Sequence, residues 1–291
     1  MVVGRWSWSF VVGRCSLVVR RWLTEHKGQA AATAAAILIA AAAGIARGQQ
    51  VVGGEVARSP KDRALWDTGT FSILGYDPAT GEIGGAVQSR VFSVGNGVLW
   101  AGANVGIVAT QAIVDVGYGP KALDLLRNGM APAAVIKQIW ERDPDPLPET
   151  WSKQGRQFAV MNARGEYAAF TGPKATEWAG HKGGRYCTAQ GNILAGAAVV
   201  NNMVEAFETT AGHLSQRLVA ALEAGQRAGG DKRGQQSAAL VIVKKDCGVW
   251  LHNDTILRLQ VDDNPEPIKE LRRIVDKWNE RRPRSVTPEC K

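Results

Sequence analysis

Residues 70–90, TFSILGYDPATGEIGGAVQSR, decide how this chain of 291 residues folds. Thr70 to Tyr76 has the β-branched and aromatic content of a strand. Asp77-Pro78-Ala79-Thr80-Gly81 then places Pro and Gly where a tight turn needs them. Ile83 to Ser89 resumes as a second strand, so the stretch predicts a β-hairpin. Outward from it, Val98 to Ala103 and Gly106 to Ala112 form another strand pair around Asn104. Their Gly, Ala and apolar content predicts strands buried on both faces.

Helices follow. Gly119-Pro120 opens one over Lys121 to Asn128, closed by Gly129, and Ala131-Pro132 opens a second that ends before Asp143-Pro144-Asp145-Pro146. Phe158 to Met161, the turn Asn162 to Gly165, and Glu166 to Thr171 predict a hairpin. Two further helices run from Val199 to Thr209 and from Leu214 to Ala228. Strands are expected at Ser237 to Lys244, Val249 to Asn253 and Ile256 to Val261. A last helix, Pro265 to Arg282, carries Ile268, Leu271, Ile274, Val275 and Trp278 on one face, a stripe suited to homo-oligomerisation. Segregated hairpins and helix pairs, with no GxGxxG or GxxxxGK[ST] motif, predict antiparallel sheets covered by helices, an α+β fold. The simplest division is a single domain over 70–264, with 265–291 a C-terminal helix and tail.

Composition narrows the function classes. Apolar residues make up 45% and charged residues 21%, which excludes collagen-like, disordered and disulfide-dense chains. The net charge of +8 sits mainly at the ends: residues 1–46 carry +4 and residues 265–291 carry +3. The near-neutral body does not support a surface that tracks phosphates, so no nucleic-acid partner is expected. Residues 1–46 combine a basic lead, an Ala-rich apolar run and small residues near Gly44-Ile45-Ala46, the features of an export signal. Membrane contact is expected only if that segment stays uncleaved, and residues 47–69 read as a linker.

Export puts Cys187, Cys247 and Cys290 in an oxidising compartment, periplasmic or extracellular, where three cysteines permit at most one bridge. The four histidines are scattered and no CxxC or HExxH is present, so neither metal nor cofactor is expected.

The polar residues that interrupt this apolar pattern are the candidate site. Gln88-Ser89-Arg90 ends the second hairpin strand beside the start of the first. Gln111 ends an apolar strand, where a buried amide must find partners in a ligand or in the backbone. Gln190-Gly191-Asn192 joins a strand-like stretch to a helix-forming one, either a tight turn or a cradle for a carbonyl oxygen. The richest block is Gly229-Gly230-Asp231-Lys232-Arg233-Gly234-Gln235-Gln236-Ser237, a glycine-rich loop before a strand. Asp231 and Arg233 are placed to pair as a polar wall for a carboxylate or amide, and a solvated turn is the alternative.

The blocks TFSILGYDPATGEIGGAVQSRVFSVG, GVLWAGANVGIVATQA, YGPKALDLLRNG, QGNILAG and GGDKRGQQSAALVIV, in this order from Thr70 to Asp263, resemble the bacterial family catalogued as domain of unknown function 1028. That resemblance implies a fold similar to the N-terminal-nucleophile (Ntn) hydrolases: a four-layer α-β-β-α sandwich of two antiparallel sheets between helices. It brings no assigned activity. By analogy with Ntn hydrolases, Thr70 would be the nucleophile, its hydroxyl attacking and its own freed α-amine acting as base. Residues 47–69 precede it, so the amine is free only after a cut between Gly69 and Thr70. Thr70 is otherwise simply a residue that favours a strand. Ser89 and Asn192 would complete the catalytic set, with Gln88, Gln111, Gln190, Asp231, Arg233 and Ser237 lining a site for a small-molecule or peptide-like substrate. The leading expectation is an exported amide hydrolase of Ntn type. The other is a secreted protein that keeps the fold, lacks the chemistry, and binds a small molecule or partner.

Overall fold

The computed structural model describes residues 69–250, 252–281 and 290. The segment read as an export signal, and all of the linker before Gly69, lie outside the described residues. The first hairpin is present as β1 (Thr70–Asp77) and β2 (Glu82–Ser89), in register from Thr70 opposite Ser89 to Asp77 opposite Glu82. Next come β3 (Leu99–Gly102) and β4 (Gly106–Ala112), then the helices α1 (Tyr118–Arg127) and α2 (Pro132–Arg142). Pro132 sits in the first turn of α2, where its missing N–H costs nothing. The second hairpin is β5 (Arg156–Asn162) and β6 (Tyr167–Thr171), followed by β7 (Gly180–Gly184) and β8 (Cys187–Asn192). Helices α3 (Ala198–Thr209) and α4 (Leu214–Arg227), strands β9 (Ser237–Val243) and β10 (Thr255–Val261), and helix α5 (Pro267–Arg281) complete the fold.

The strands form two antiparallel sheets, one in the order β10-β9-β2-β1-β8-β7 and one in the order β3-β4-β5-β6. Strand alternation sorts their side chains into three apolar clusters. Phe71, Ile73, Ala86, Leu240 and Ile242 face α3, α4 and α5 through Met203, Phe207, Leu218, Leu222, Leu271 and Val275. Val108, Phe158 and Val160 face α1 and α2 through Tyr118, Ala122, Val135 and Ile139. Leu74, Ile83, Val87, Ile107, Ala109, Met161 and Val241 pack into the third cluster, which joins residues of both sheets. The molecule is therefore α+β with two antiparallel sheets and, among the described residues, five α-helices.

Three expectations need correction. The strand expected at Val249 to Asn253 is absent: Val249, Trp250, His252 and Asn253 lie in bends, turn or coil, with φ of 69° at Trp250 and 57° at His252. The Gly248 amide donates to the Asn253 carbonyl at 2.6 Å, closing a loop that a strand could not make. Second, Gln190-Gly191-Asn192 is no turn but the end of β8, a strand that pairs with β1 on one side and β7 on the other. Third, α5 is an integral part of the core, with Leu271 and Val275 fully buried, so its apolar stripe is occupied within the chain.

Candidate active site

The residues of β1 that alternate with Phe71 and Ile73 are Thr70, Ser72 and Leu74. Leu74 belongs to the cluster between the sheets, so Thr70 and Ser72 share its face. The same parity carries Ser89 on β2, Gln111 on β4, Gln157 on β5, and Gln190 and Asn192 on β8 to that inner layer. At the Thr70 end the layer is polar. Gln157 is its hub: Nε2 donates to the Gly191 carbonyl (2.9 Å), the Gly180 carbonyl (3.1 Å) and Thr171 Oγ1 (2.9 Å). Its Oε1 accepts from Gln111 Nε2 (2.8 Å) and Asn192 Nδ2 (3.1 Å). Gln111 Nε2 also reaches the Thr70 carbonyl (3.3 Å), and its Oε1 accepts from Ser72 Oγ at 2.5 Å. Gln190 Nε2 donates to Ser72 Oγ at 2.6 Å.

Above this layer sits Thr70, 2% exposed. Its Oγ1 donates to Ser89 Oγ at 3.2 Å, and Ser89 Oγ in turn donates to the Gly69 carbonyl at 2.5 Å. A second donor reaches the same oxygen: Arg233 Nη2, at 2.7 Å. The Asp231 carboxylate fixes that guanidinium by accepting from Nη2 (2.7 Å), from Nε (3.1 Å) and from the Arg233 amide (2.9 Å). Asp231 is buried and its fork-to-fork pairing compensates the desolvated carboxylate, as a buried charge requires. Gly234, at φ 105°, lets the loop turn back into β9. Gly69 is packed so closely under this pair that a Cβ there would lie 2.5 Å from Arg233 Nη2 and 2.8 Å from Asp231 Oδ2.

The structure therefore gathers Thr70, Ser89, Asp231 and Arg233 around one carbonyl. Gln111, Gln190 and Asn192 lie in the layer beneath, bonded to protein groups. Gln88 Nε2 donates to the Gly234 carbonyl at 3.4 Å, and its Oε1 has no hydrogen-bond partner among the described residues. Arg90 is on the rim, donating to Gln236. Ser237 Oγ donates to the Val91 carbonyl (2.5 Å) and accepts from the Val94 amide (3.0 Å), which ties down the segment after β2. That segment forms one wall of a cleft of about 120 Å³ lined by Thr70, Gln111, Val91, Val94, Val98 and Val116 among others. Gln157 and Ser72 escaped the sequence reading. The one signal for Gln157 was an amide two residues before Ala159 and four before Met161, on a strand face that is otherwise apolar.

The model of the family of unknown function DUF1028 matches residues 70–271. The chain belongs to the DUF1028 family. This DUF1028 chain is also similar to a solved structure, that of protein SPO2555 from Silicibacter pomeroyi, of the same family. The two share 32% identity with a TM-score of 0.65, over 72% of this chain and 86% of the other. No curated protein matches. The DUF1028 match begins at Thr70, the residue on which the site converges.

Proposed function

We propose that this protein is an exported amide hydrolase of Ntn type, acting on a small amide or peptide-like substrate, with Thr70 as nucleophile after the chain is cut between Gly69 and Thr70. The observation that carries this reading is the doubly hydrogen-bonded Gly69 carbonyl beside the Thr70 hydroxyl. Two donors on one carbonyl oxygen, one of them cationic, are what stabilise the negative charge that develops on it as a nucleophile adds to that carbon. In the cut, Thr70 Oγ1 bonds to the Gly69 carbonyl carbon while its proton passes to Ser89 Oγ and the Ser89 proton moves onto the carbonyl oxygen. The C–N bond then breaks, the proton transfers to the departing Thr70 nitrogen, and an ester remains. Water hydrolyses the ester, leaving a Gly69 carboxylate, a free Thr70 amine and a restored hydroxyl.

Cutting leaves Ser89 and Arg233 facing the place the carbonyl held, ready for a substrate carbonyl. The α-amine, with an ordinary pKa of about 7.7–8.0, then takes the Thr70 proton as the hydroxyl attacks. Gln111 and Asn192 act as positioning residues through Gln157. The helix, sheet, sheet and helix packing of the three apolar clusters supports the four-layer Ntn-like sandwich. The bond between Cys247 and Cys290 supports an oxidising compartment, and buried Cys187 is free.

Intact-mass analysis and N-terminal sequencing of purified protein test the reading. A new N-terminus at Thr70, lost in Thr70→Ala, is the expected result. Amide hydrolysis by protein whose Gly69–Thr70 bond is intact, or unchanged hydrolysis by Thr70→Ala, would overturn it.

A further inference from the structure

The cleft beside Thr70 has a lining that the hydrogen-bonded carbonyl does not explain. Apart from Thr70, Ser93, Thr110 and Gln111, its walls are Val91, Phe92, Val94, Gly97, Val98, Val114 and Val116. Phe92 is 63% exposed and Val116 48% exposed, so two of the four exposed large apolar side chains among the described residues stand together at this rim. The walls are held in place. Ser237 anchors Val91 and Val94, Thr110 Oγ1 donates to the Gly97 carbonyl at 2.8 Å, and Trp151 Nε1 donates to the Val114 carbonyl at 2.8 Å. Arg156, paired with buried Asp143, donates to the Ile113 carbonyl at 2.6 Å. The cleft's volume of about 120 Å³ is close to that of an engineered apolar cavity, about 150 Å³, that takes up benzene.

We infer that this cleft is a specificity pocket for one apolar side chain, branched aliphatic or single-ring aromatic, next to the amide presented to Thr70. The inference rests on the proposed amide hydrolysis and names its substrate class. Polar and charged side chains are disfavoured because the valines offer them no partner and the hydroxyls and amide that also line the cleft are bonded within the chain, whereas an apolar group leaves water for a preformed, anchored surface. The surroundings of Gly69 are of the other kind: the space where its side chain would lie is filled by Arg233 and Asp231, which are not among the residues lining the cleft. Thr70 joins the two, so the carbonyl is read by the charged pair and the apolar group by the valines.

Binding to the full wild-type chain, with the state of its Gly69–Thr70 bond read by intact mass and the integrity of each probe checked by chromatography, separates this inference from the fate of the nucleophile. The probes are N-acetyl-L-leucinamide, N-acetyl-L-phenylalaninamide, N-acetylglycinamide and N-acetyl-L-glutamine amide, measured by calorimetry. The leucine and phenylalanine probes are expected to bind at least tenfold more tightly than the glycine and glutamine probes. Gly97→Leu fills the cleft without obstruction from the backbone, because a Cβ there meets only Val116 Cγ1 at 3.3 Å, and the φ of −132° suits any residue. It is expected to abolish the preference, and Val116→Asp, at the exposed rim, to reduce it severalfold. Equal affinity for all four probes, preference for the glutamine probe, or a preference that survives Gly97→Leu in protein with a native circular dichroism spectrum would overturn the inference.

Discussion

Arg233 Nη2 donates to the Gly69 carbonyl at 2.7 Å, across 164 residues of sequence. The guanidinium reaches it because Asp231 grips two of its nitrogens and Leu194 bridges to Asp231, which seats the loop beside the end of β8. The charge on this carbonyl is thus delivered by a braced group whose orientation is set before any reaction begins.

Arg233→Lys keeps the charge and loses the fork, because an ammonium cannot bind Asp231 through two nitrogens and still reach Gly69 in the same geometry. Cleavage between Gly69 and Thr70 should slow by roughly 100-fold, the cost of removing one oxyanion donor. Mass spectrometry of a pulse-labelled time course reads this directly. Cleavage at the wild-type rate would show that the Arg233 fork plays no part.

Gln157→Leu preserves volume and removes the hub of the polar layer. The Gly180 and Gly191 carbonyls lose a donor, and Gln111 and Asn192 lose an acceptor. Stranded buried polar groups cost about 1–3 kcal/mol each, so urea unfolding should report a loss of about 3 kcal/mol or more. A change below about 1 kcal/mol would mean the layer rearranges freely.

Tyr118, Asp143 and Arg156 form a buried cluster: Arg156 Nε lies 3.3 Å from Asp143 Oδ2, and the Tyr118 hydroxyl donates to the same oxygen. Burial alone would raise the Asp143 pKa, but the Tyr118 hydroxyl, the Asp145 amide and Arg156 outweigh it and hold the carboxyl below the usual range. Stability from this group is complete above the unfolded-state pKa of about 3.9 and is lost as pH falls through the lower folded-state value. Asp143→Asn should therefore destabilise the protein at pH 7 by about 3 kcal/mol and flatten the loss of stability on acidification below about pH 4. Parallel acid-loss curves for the two proteins would exclude the cluster as a contributor.

Burial, then nearby Glu208, pushes the Cys187 thiol up to about 12. Native protein at pH 8 should leave Cys187 unlabelled by iodoacetamide, as peptide mapping would show. The unfolded thiol ionises near pH 8.5, so Cys187 stays protonated in the fold while the unfolded chain loses its proton, and stability should fall as pH rises above that point. Cys187→Ala should remove this slope. Reducing the Cys247–Cys290 bond, which closes 43 residues, should cost up to about 4 kcal/mol in the chain-entropy view.

Local chemistry wrote much of the fold into the sequence. The turn at Asp77 to Gly81, the prolines at the helix starts and the apolar stripe of α5 each depend on residues within a few positions, so their elements are legible without the rest. The end of β8 reads as a turn or cradle and not as strand, because its inner residues Gln190 and Asn192 are polar and bond to Ser72 of β1 and to Gln157 of the other sheet instead of alternating with water. Of the site, Thr70, Ser89, Asp231 and Arg233 are visible as polar residues at strand ends and in a glycine-rich loop. Tertiary structure alone decided that they meet at one carbonyl, that Gln157 lies beneath them, and that valines from two separate segments close a cleft beside them. The reason is physical: alternation gives each strand residue its face, but which faces oppose each other is set by the register of strands far apart in the chain.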